Sequence, residues 1–451
     1  MAATVLELKP AAPAEEKSKY KPDDDELALE LAARMDGKAA FFHSAWRVYD
    51  AGVWAYRDAA EFRRYIRVQL RQFRSHGVAV TQQRIRGLAA MLEDDLYVSD
   101  QRIMEMAAER RRYVNLRNGL FNLETMELEP HRPELYFHTQ LDFDYDPEAD
   151  CPTFRQYLIT SLVHPDGTHD NSLITLVNEA LAYSMTARTD LKASFWLVGA
   201  KDSGKSTFIS VLKHLMGDLH ATIDLTQLGT NRFLLAGIAG KRVVSFTEAT
   251  ASTVLPDALY KTITGGQDEI FADVKNRDAI TFVPEAKIWW AMNEMPRISD
   301  RSGATTRRIT IIPFNRSIPQ EKRILNLEAK LRAERSGIFN TMLNHYHRII
   351  QQGRFSRCAQ SEALMQEYVA ENDTEAAYAD ERLDRHETHR VTSAELYADY
   401  RQWCEQFGFR PRNANQVAGE WKRLGLVNIK SGGVKWWTGA KLRGVDVSAI
   451  K

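Results

Sequence analysis

The nine residues Gly199-Ala200-Lys201-Asp202-Ser203-Gly204-Lys205-Ser206-Thr207 constrain this chain more than any other stretch. They fit the spacing G-x-x-x-x-G-K-[ST], follow the apolar run FWLV, which has strand character, and precede the helical pattern TFISVLKHLM. A strand, a glycine-bearing turn and a helix in that order aim backbone N–H groups at phosphate oxygens, with the helix N-terminus behind them. The pattern predicts that Gly199 through Thr207 cradle the phosphates of ATP, that Lys205 reaches the β and γ phosphates, and that the Ser206 hydroxyl holds Mg²⁺. A fortuitous glycine turn is the plain alternative, and the flanking strand and helix disfavour it.

Around this motif, residues 188–319 alternate β-rich runs (FWLVG, KRVVSF, KIWWAMN, RRITIIPF) with helical segments, the mark of an α/β core. The strand KRVVSF runs into Thr247-Glu248, where such an enzyme needs an acid beside Mg²⁺ and the attacking water. Glu248 is the candidate general base and second metal ligand, and no further acid precedes it. The strand KIWWAM ends at Asn293, an amide placed to orient that water. Arg307 and Arg308 follow before the strand ITIIPF; either suits an arginine finger acting in a neighbouring subunit, although paired arginines are more often surface charge.

The rest of the chain narrows the class. Sixty Lys+Arg against sixty Asp+Glu and 44% apolar residues describe a globular, multidomain chain rather than a uniformly basic coat. No signal peptide or membrane span is evident, so a cytoplasmic protein with no membrane partner is expected. Cys151, Cys358 and Cys404 are far apart, and no histidine spacing suggests a metal cluster. Residues 1–25 read as a disordered arm and 26–187 as an α+β domain, with two short strands about Asp50-Ala51-Gly52, an acidic connector at 142–152 and one helical run over 154–185. Residues 320–374 read as a helical segment. Residues 375–451 give helix, helix and hairpin, the order of a winged-helix domain.

Taken in order and spacing, GAKDSGKST, KRVVSFTEA, LYKTITGGQDEI, KIWWAMNEMPRI and TTRRITIIPF resemble the superfamily 3 helicases of the phage and plasmid primase-helicase type, to which the poxvirus primase-helicase is also similar. The flanking stretches NLRNGLFNLETMELEPHRPELYFHTQLDFDYDPEADCP, ERSGIFN and VTSAELYADYRQWCEQFGFRP resemble the same family. The resemblance implies an AAA+-like P-loop ATPase core between an α+β domain and a winged helix, without the primase polymerase domain. It implies Lys205 and Ser206 on ATP and Mg²⁺, Glu248 as water activator, Asn293 as sensor, and Arg308 or Arg307 as finger. It also implies a homo-hexamer on single-stranded and forked DNA, with a separate primase or initiator as a further partner. In the family a hairpin grips the DNA backbone from the ring's channel; here IFADVKNRDAITFVP would place Lys275, Asn276 and Arg277 at its tip.

Two further basic regions stand out. Arg63, Arg67, Arg71 and Arg74 share one helical face opposite Phe62, Ile66, Leu70 and Phe73, a pattern that most often marks a solvated surface. From Arg401 to Lys451 there are ten Lys+Arg and three Asp+Glu, which makes Arg410, Arg412, Lys422 and Arg423 candidate phosphate contacts, with Trp436 or Trp437 able to stack on bases. The leading expectation is an ATP-driven hexameric helicase, moving 3′ to 5′, that replicates a phage, satellite or other mobile element. The alternative is an ATP-dependent initiator or DNA-sensing switch that assembles on duplex without processive unwinding.

Overall fold

Asp23 opens the first helix: its side chain accepts the Glu26 N–H while Glu26 accepts the Asp23 N–H, a capping box that starts α1 (Asp24–Met35). The end of the expected disordered arm is therefore already helical. The computed structural model describes residues 21–224, 233–246, 255–275, 279–296, 298, 300, 303–407, 409 and 411–443, in two compact units, Met1–Ser361 and Glu362–Lys451. Glu248, Asn276, Arg277 and Arg410 lie outside the described residues.

In the first unit, β1 (Ala39–Phe42), β2 (Ala45–Asp50) and β3 (Val53–Arg57) form an antiparallel sheet in that order. The expected strand pair about Ala51-Gly52 is present; β1, four residues long, was too short for its periodicity to show. Next come α2 (Ala59–Leu70), α3 (Gln82–Asp95) and α4 (Asp100–Arg110). Phe62, Ile66 and Leu70 of α2 are buried, as is Phe73 in the following turn, while Arg63, Arg67, Arg71 and Arg74 are exposed, as the helical spacing requires. A second antiparallel sheet follows, of β4 (Tyr113–Leu116), β5 (Gly119–Asn122) and β6 (Glu127–Glu129).

The single helical run expected over 154–185 is two helices, α5 (Pro152–Ser161) and α6 (Asn171–Ser184). The break falls at Pro165-Asp166-Gly167, where Gly167 N–H donates to His164 O, and Asp170 then caps α6 by accepting the Ser172 and Leu173 N–H groups. Apolar residues on both sides of the turn masked it.

The α/β core contains β7 (Ser194–Gly199), α7 (Lys205–Met216), β8 (His220–Ile223), β9 (Val243–Phe246), α8 (Asp257–Gly265), β10 (Ile270–Ala272), β11 (Ile280–Phe282), β12 (Lys287–Met292) and β13 (Ile309–Phe314). Five of these strands form a parallel sheet in the order β13-β7-β12-β9-β8. The glycine-rich loop thus leaves an interior strand, and β12 separates that strand from β9. Both sheet faces are covered, which suits the unbroken apolar strands. Trp196, Trp289 and Trp290 are fully buried. Burial of an indole is favourable only if its N–H finds an acceptor. The Trp289 N–H donates to Ser184 Oγ of α6 (2.9 Å) and that of Trp196 to the Tyr260 hydroxyl of α8 (3.0 Å).

Helices α9 (Leu327–Ala333) and α10 (Arg335–Gln352) complete the first unit, and α11 (Ala359–Glu371) carries the chain onward. Gly337 of α10 explains the ERSGIFN stretch: a Cβ there would meet the Asp150 carbonyl at 2.3 Å. The acidic connector lies against that glycine, held by Asn340, whose amide donates to Asp146 O and Ala149 O at 2.9 Å each.

In the second unit α12 (Thr374–Arg382), β14 (Leu383–Thr392), α13 (Ser393–Gln406) and α14 (Ala414–Arg423) precede β15 (Val427–Ser431) and β16 (Val434–Leu442). The strands pair antiparallel in the order β14-β16-β15. Trp421 and Trp437 lie in its core, and Trp436 is half-buried beneath the Arg390 guanidinium, 4.6 Å from the ring centre.

Candidate nucleotide site and its surroundings

At the carboxyl edge of the sheet, the loop between β7 and α7 closes on itself. Gly199 adopts φ +153°, and a Cβ there would meet the Phe314 carbonyl oxygen of β13 at 2.1 Å, so only glycine fits. The Lys205 ammonium, 7% exposed, donates to Gly199 O (2.8 Å), Ala200 O (2.6 Å) and Ser203 Oγ (3.3 Å). The first intrahelical bond of α7 runs from Phe208 N–H to Gly204 O, so the N–H groups of Lys205, Ser206 and Thr207 precede the helix's own ladder. Outside the loop, the buried Tyr157 of α5 donates its hydroxyl to Gly204 O (2.8 Å), and burial raises its pKa. From the other side, Ile318 N–H donates to Asp202 O (2.9 Å) and Ser317 Oγ to Lys201 O (2.6 Å).

These parts surround a cavity of about 1070 Å³. Residues 201–207 form its floor. Phe246, at the end of β9, and Asn293, just beyond β12, line one end, and α5 with residues 318–327 lines the other. The sequence-predicted Lys205, Ser206 and Asn293 are therefore together, along with the strand whose continuation carries Glu248. Sequence reasoning missed Gln156, Tyr157, Thr160 and Ile318. They lie far from the loop along the chain, and no local pattern marks them.

Arg307 and Arg308 are not in this cavity. They precede Ile309, which pairs with Ser194 at the start of β7, whereas Gly199 pairs with Phe314. Five strand steps of about 3.3 Å put them roughly 17 Å away, at the other end of the sheet. The two also differ. The Arg308 guanidinium donates to Ala304 O, with its Nε buried, while Arg307 is exposed. The turn that carries them is anchored by Thr305, whose hydroxyl lies 2.9 Å from both Asp257 Oδ1 and Asp300 Oδ2. Lys261 of α8 pairs with the same Asp300 at 3.3 Å.

That far end also holds a buried ionic cluster. Glu285 is engaged by Arg242 and by Arg111 (3.2 Å) from beyond α4, and although burial opposes ionisation, the two guanidinium groups hold its carboxyl below the usual range. Lys287, 1% exposed, donates to Thr186 O and Glu285 O; burial foremost, then Arg242, lowers its pKa well below the usual lysine range. On the edge strand, burial pushes His220 down to about 4, with its Nε2 3.0 Å from Ser245 Oγ.

Strands β10 and β11 form the expected hairpin, and Lys275 is exposed at its described end. In the second unit the charge count misled. Arg412 contacts Glu375 (3.2 Å) and Glu420 (3.4 Å), and Arg423 contacts Asp373 (2.7 Å) and Glu420 (2.6 Å). A guanidinium already bound to two carboxylates is a poor phosphate contact, because the local field is neutralised. Lys422, Lys430 and Lys435 are exposed instead. Among the described residues no cluster of His, Cys, Asp or Glu could hold a metal, and no helix is long and apolar enough to cross a membrane.

Residues 26–162 match the family described as D5 N terminal like, and residues 197–308 match DUF5906, a family of unknown function. A protein of Acanthamoeba polyphaga mimivirus bearing the name "Putative helicase" is 28% identical over 225 residues, which cover 48% of this chain and 23% of that protein. A protein of the same name from Invertebrate iridescent virus 3 is 23% identical over 276 residues, covering 58% and 29%. This chain thus spans about a quarter of the length of the curated relatives it matches. Among solved structures, the apo NrS-1 C-terminal region shares the fold: 12% identity, TM-score 0.50, 94% of this chain and all of that one. Together these matches support a helicase-like family.

Proposed function

We propose that this chain is the motor of an ATP-dependent, ring-forming DNA helicase of the superfamily 3, primase-helicase type, replicating a mobile or viral element. One observation carries the reading: a single cavity joins the glycine-rich loop, the N-terminus of α7, Asn293 and the end of the strand leading to Glu248. The donors fit a triphosphate. A lysine ammonium, a glycine-permitted turn and helix N-terminal N–H groups converge on one floor. The Ser206 hydroxyl would hold Mg²⁺, which supplies charge neutralisation of the phosphates. Lys205 would exchange at least one loop oxygen for a phosphate oxygen, since its three protons already have three acceptors. Asn293 would orient the attacking water, with Glu248 accepting its proton.

The remote position of Arg307 and Arg308 supports subunits sharing sites around a ring. At roughly 17 Å along the sheet, neither reaches its own loop, so an arginine finger must act in a neighbour, and the exposed Arg307 is the freer of the two. The order of helices and strands in the second unit supports a winged-helix reading, with Lys422, Lys430 and Lys435 as its available cations.

The test is strand displacement on a forked substrate alongside ATP turnover. A helicase releases single strand in proportion to ATP consumed. Turnover with no strand released would leave the initiator or switch reading standing, and no turnover at all would remove both.

A further inference from the structure

The cavity extends past the phosphate loop to a wall on which the proposed chemistry places no demand. There, Ile318, Ile324 and Leu327 offer apolar surface facing Gln156 and Thr160 of α5. The Thr160 hydroxyl donates to the Gln156 backbone carbonyl one turn earlier, at 2.8 Å. A hydroxyl has one proton, so toward any other neighbour Thr160 Oγ1 can only accept. The Gln156 side chain lies 3.2 Å from that oxygen and must therefore present its NH₂ group to it. This settles which way the amide faces on chemical grounds. The amide oxygen Oε1 is left as an acceptor with no protein partner among the described residues.

On the basis of the nucleotide reading above, we infer that this end of the cavity is a base subsite selecting nucleotides whose ring edge carries an exocyclic amino group, adenine foremost. The apolar residues 318, 324 and 327 take the flat face of the base. Gln156 Oε1 accepts a hydrogen bond from the amino group, and Thr160 is a positioning residue that keeps the amide from turning over. A base with a carbonyl at the same position sets two acceptors against each other. The amide cannot rotate to relieve this without losing its bond to Thr160. The segment bearing Ile318 is hydrogen-bonded to Asp202 O, and α5 is hydrogen-bonded to Gly204 O through Tyr157, so both walls are fixed to the phosphate loop.

The decisive pair of ligands is the imido analogues of ATP and ITP, which differ only in the amino or carbonyl group at position 6, titrated calorimetrically with Mg²⁺ into the full chain. Inorganic tripolyphosphate serves as a probe of the phosphate loop alone. The expected result is about tenfold tighter binding of the ATP analogue, the scale of one directed hydrogen bond set against a repulsive pair. Gln156→Leu and Thr160→Val should each bring the ratio near one, Thr160→Ser should retain it, and tripolyphosphate affinity should be the same in all four chains. Equal affinities in the wild type, or an unchanged ratio in Gln156→Leu, overturn the subsite while leaving the phosphate loop standing. If neither tripolyphosphate nor the ATP analogue binds the wild type, the nucleotide reading fails, and the subsite with it.

Discussion

The two ends of the five-stranded sheet are built in opposite ways. At the carboxyl end, the loop, α5 and residues 317–318 bind one another, and the Lys205 ammonium has three oxygens around it. At the amino end, Arg307 projects into solvent, and the hairpin bearing the exposed Lys275 leads toward the first residue of β12. The first end is a finished container. The second presents cations to something the chain itself does not supply. Binding can therefore be complete within one chain while turnover and grip on DNA depend on a neighbour and on nucleic acid.

The largest expected effect breaks the container. Lys205→Ala should reduce ATP turnover by about 10²-fold or more, since a group that stabilises transition-state charge is removed with no substitute in the loop. Near wild-type turnover in the purified variant would end the phosphate-loop reading. At the other end, Arg307→Ala should lower turnover by a similar order yet leave ATP-analogue affinity within about twofold. Mixing Arg307→Ala chains with Lys205→Ala chains should restore part of the activity, because some interfaces then pair an intact loop with an intact arginine. Mixtures that stay inactive, with Arg308→Ala equally inert, would show that the amino end does not serve a neighbour's site.

A smaller effect separates grip from hydrolysis. Lys275→Ala should preserve basal turnover and slow strand displacement several-fold, with a flatter dependence of DNA affinity on salt. Unwinding at the wild-type rate would make that lysine an ordinary solvated side chain. In the second unit, Lys422→Ala should flatten the same salt slope, whereas Arg412→Ala should mainly lower stability, because it leaves the 2%-exposed Glu375 side chain without its ion-pair partner.

The smallest expected effect concerns pH. His220 has a folded-state pKa of about 4 against an ordinary 6.5, so between these values the unfolded chain binds the proton and the folded chain does not. The contribution of this group is fully present above pH 6.5 and is lost as pH falls toward 4. Comparing thermal midpoints at pH 7 and pH 5 for the wild type and His220→Gln should show a drop of a few degrees that is smaller in the variant.

The sequence displayed the container's floor and concealed its walls. Gly199 through Thr207 are contiguous, and each is required by local backbone geometry, so spacing alone reveals them. Gln156 and Ile318 meet the same loop only because α5 and the chain beyond β13 fold back on it, and nothing in their immediate neighbours records that. The strands of the sheet were readable because strands buried on both faces are apolar throughout; β8 (HATI), on the edge, lacked that signature. Charge was the least legible property. Arg63 and Arg67 on α2 are exposed as their spacing implied, but Arg412 and Arg423 meet carboxylates from α12, α14 and the residue before α12, contacts that a running sum cannot register.

The bond from Ile318 N–H to Asp202 O has a use beyond holding the cavity's wall. It is a single backbone proton whose exchange with solvent requires the loop and the chain after β13 to separate. Its rate in heavy water is therefore an internal clock for the loop's opening, readable with or without turnover. A ligand that occupies the floor should slow that clock, and one held only at the far end of the sheet should leave it running unchanged.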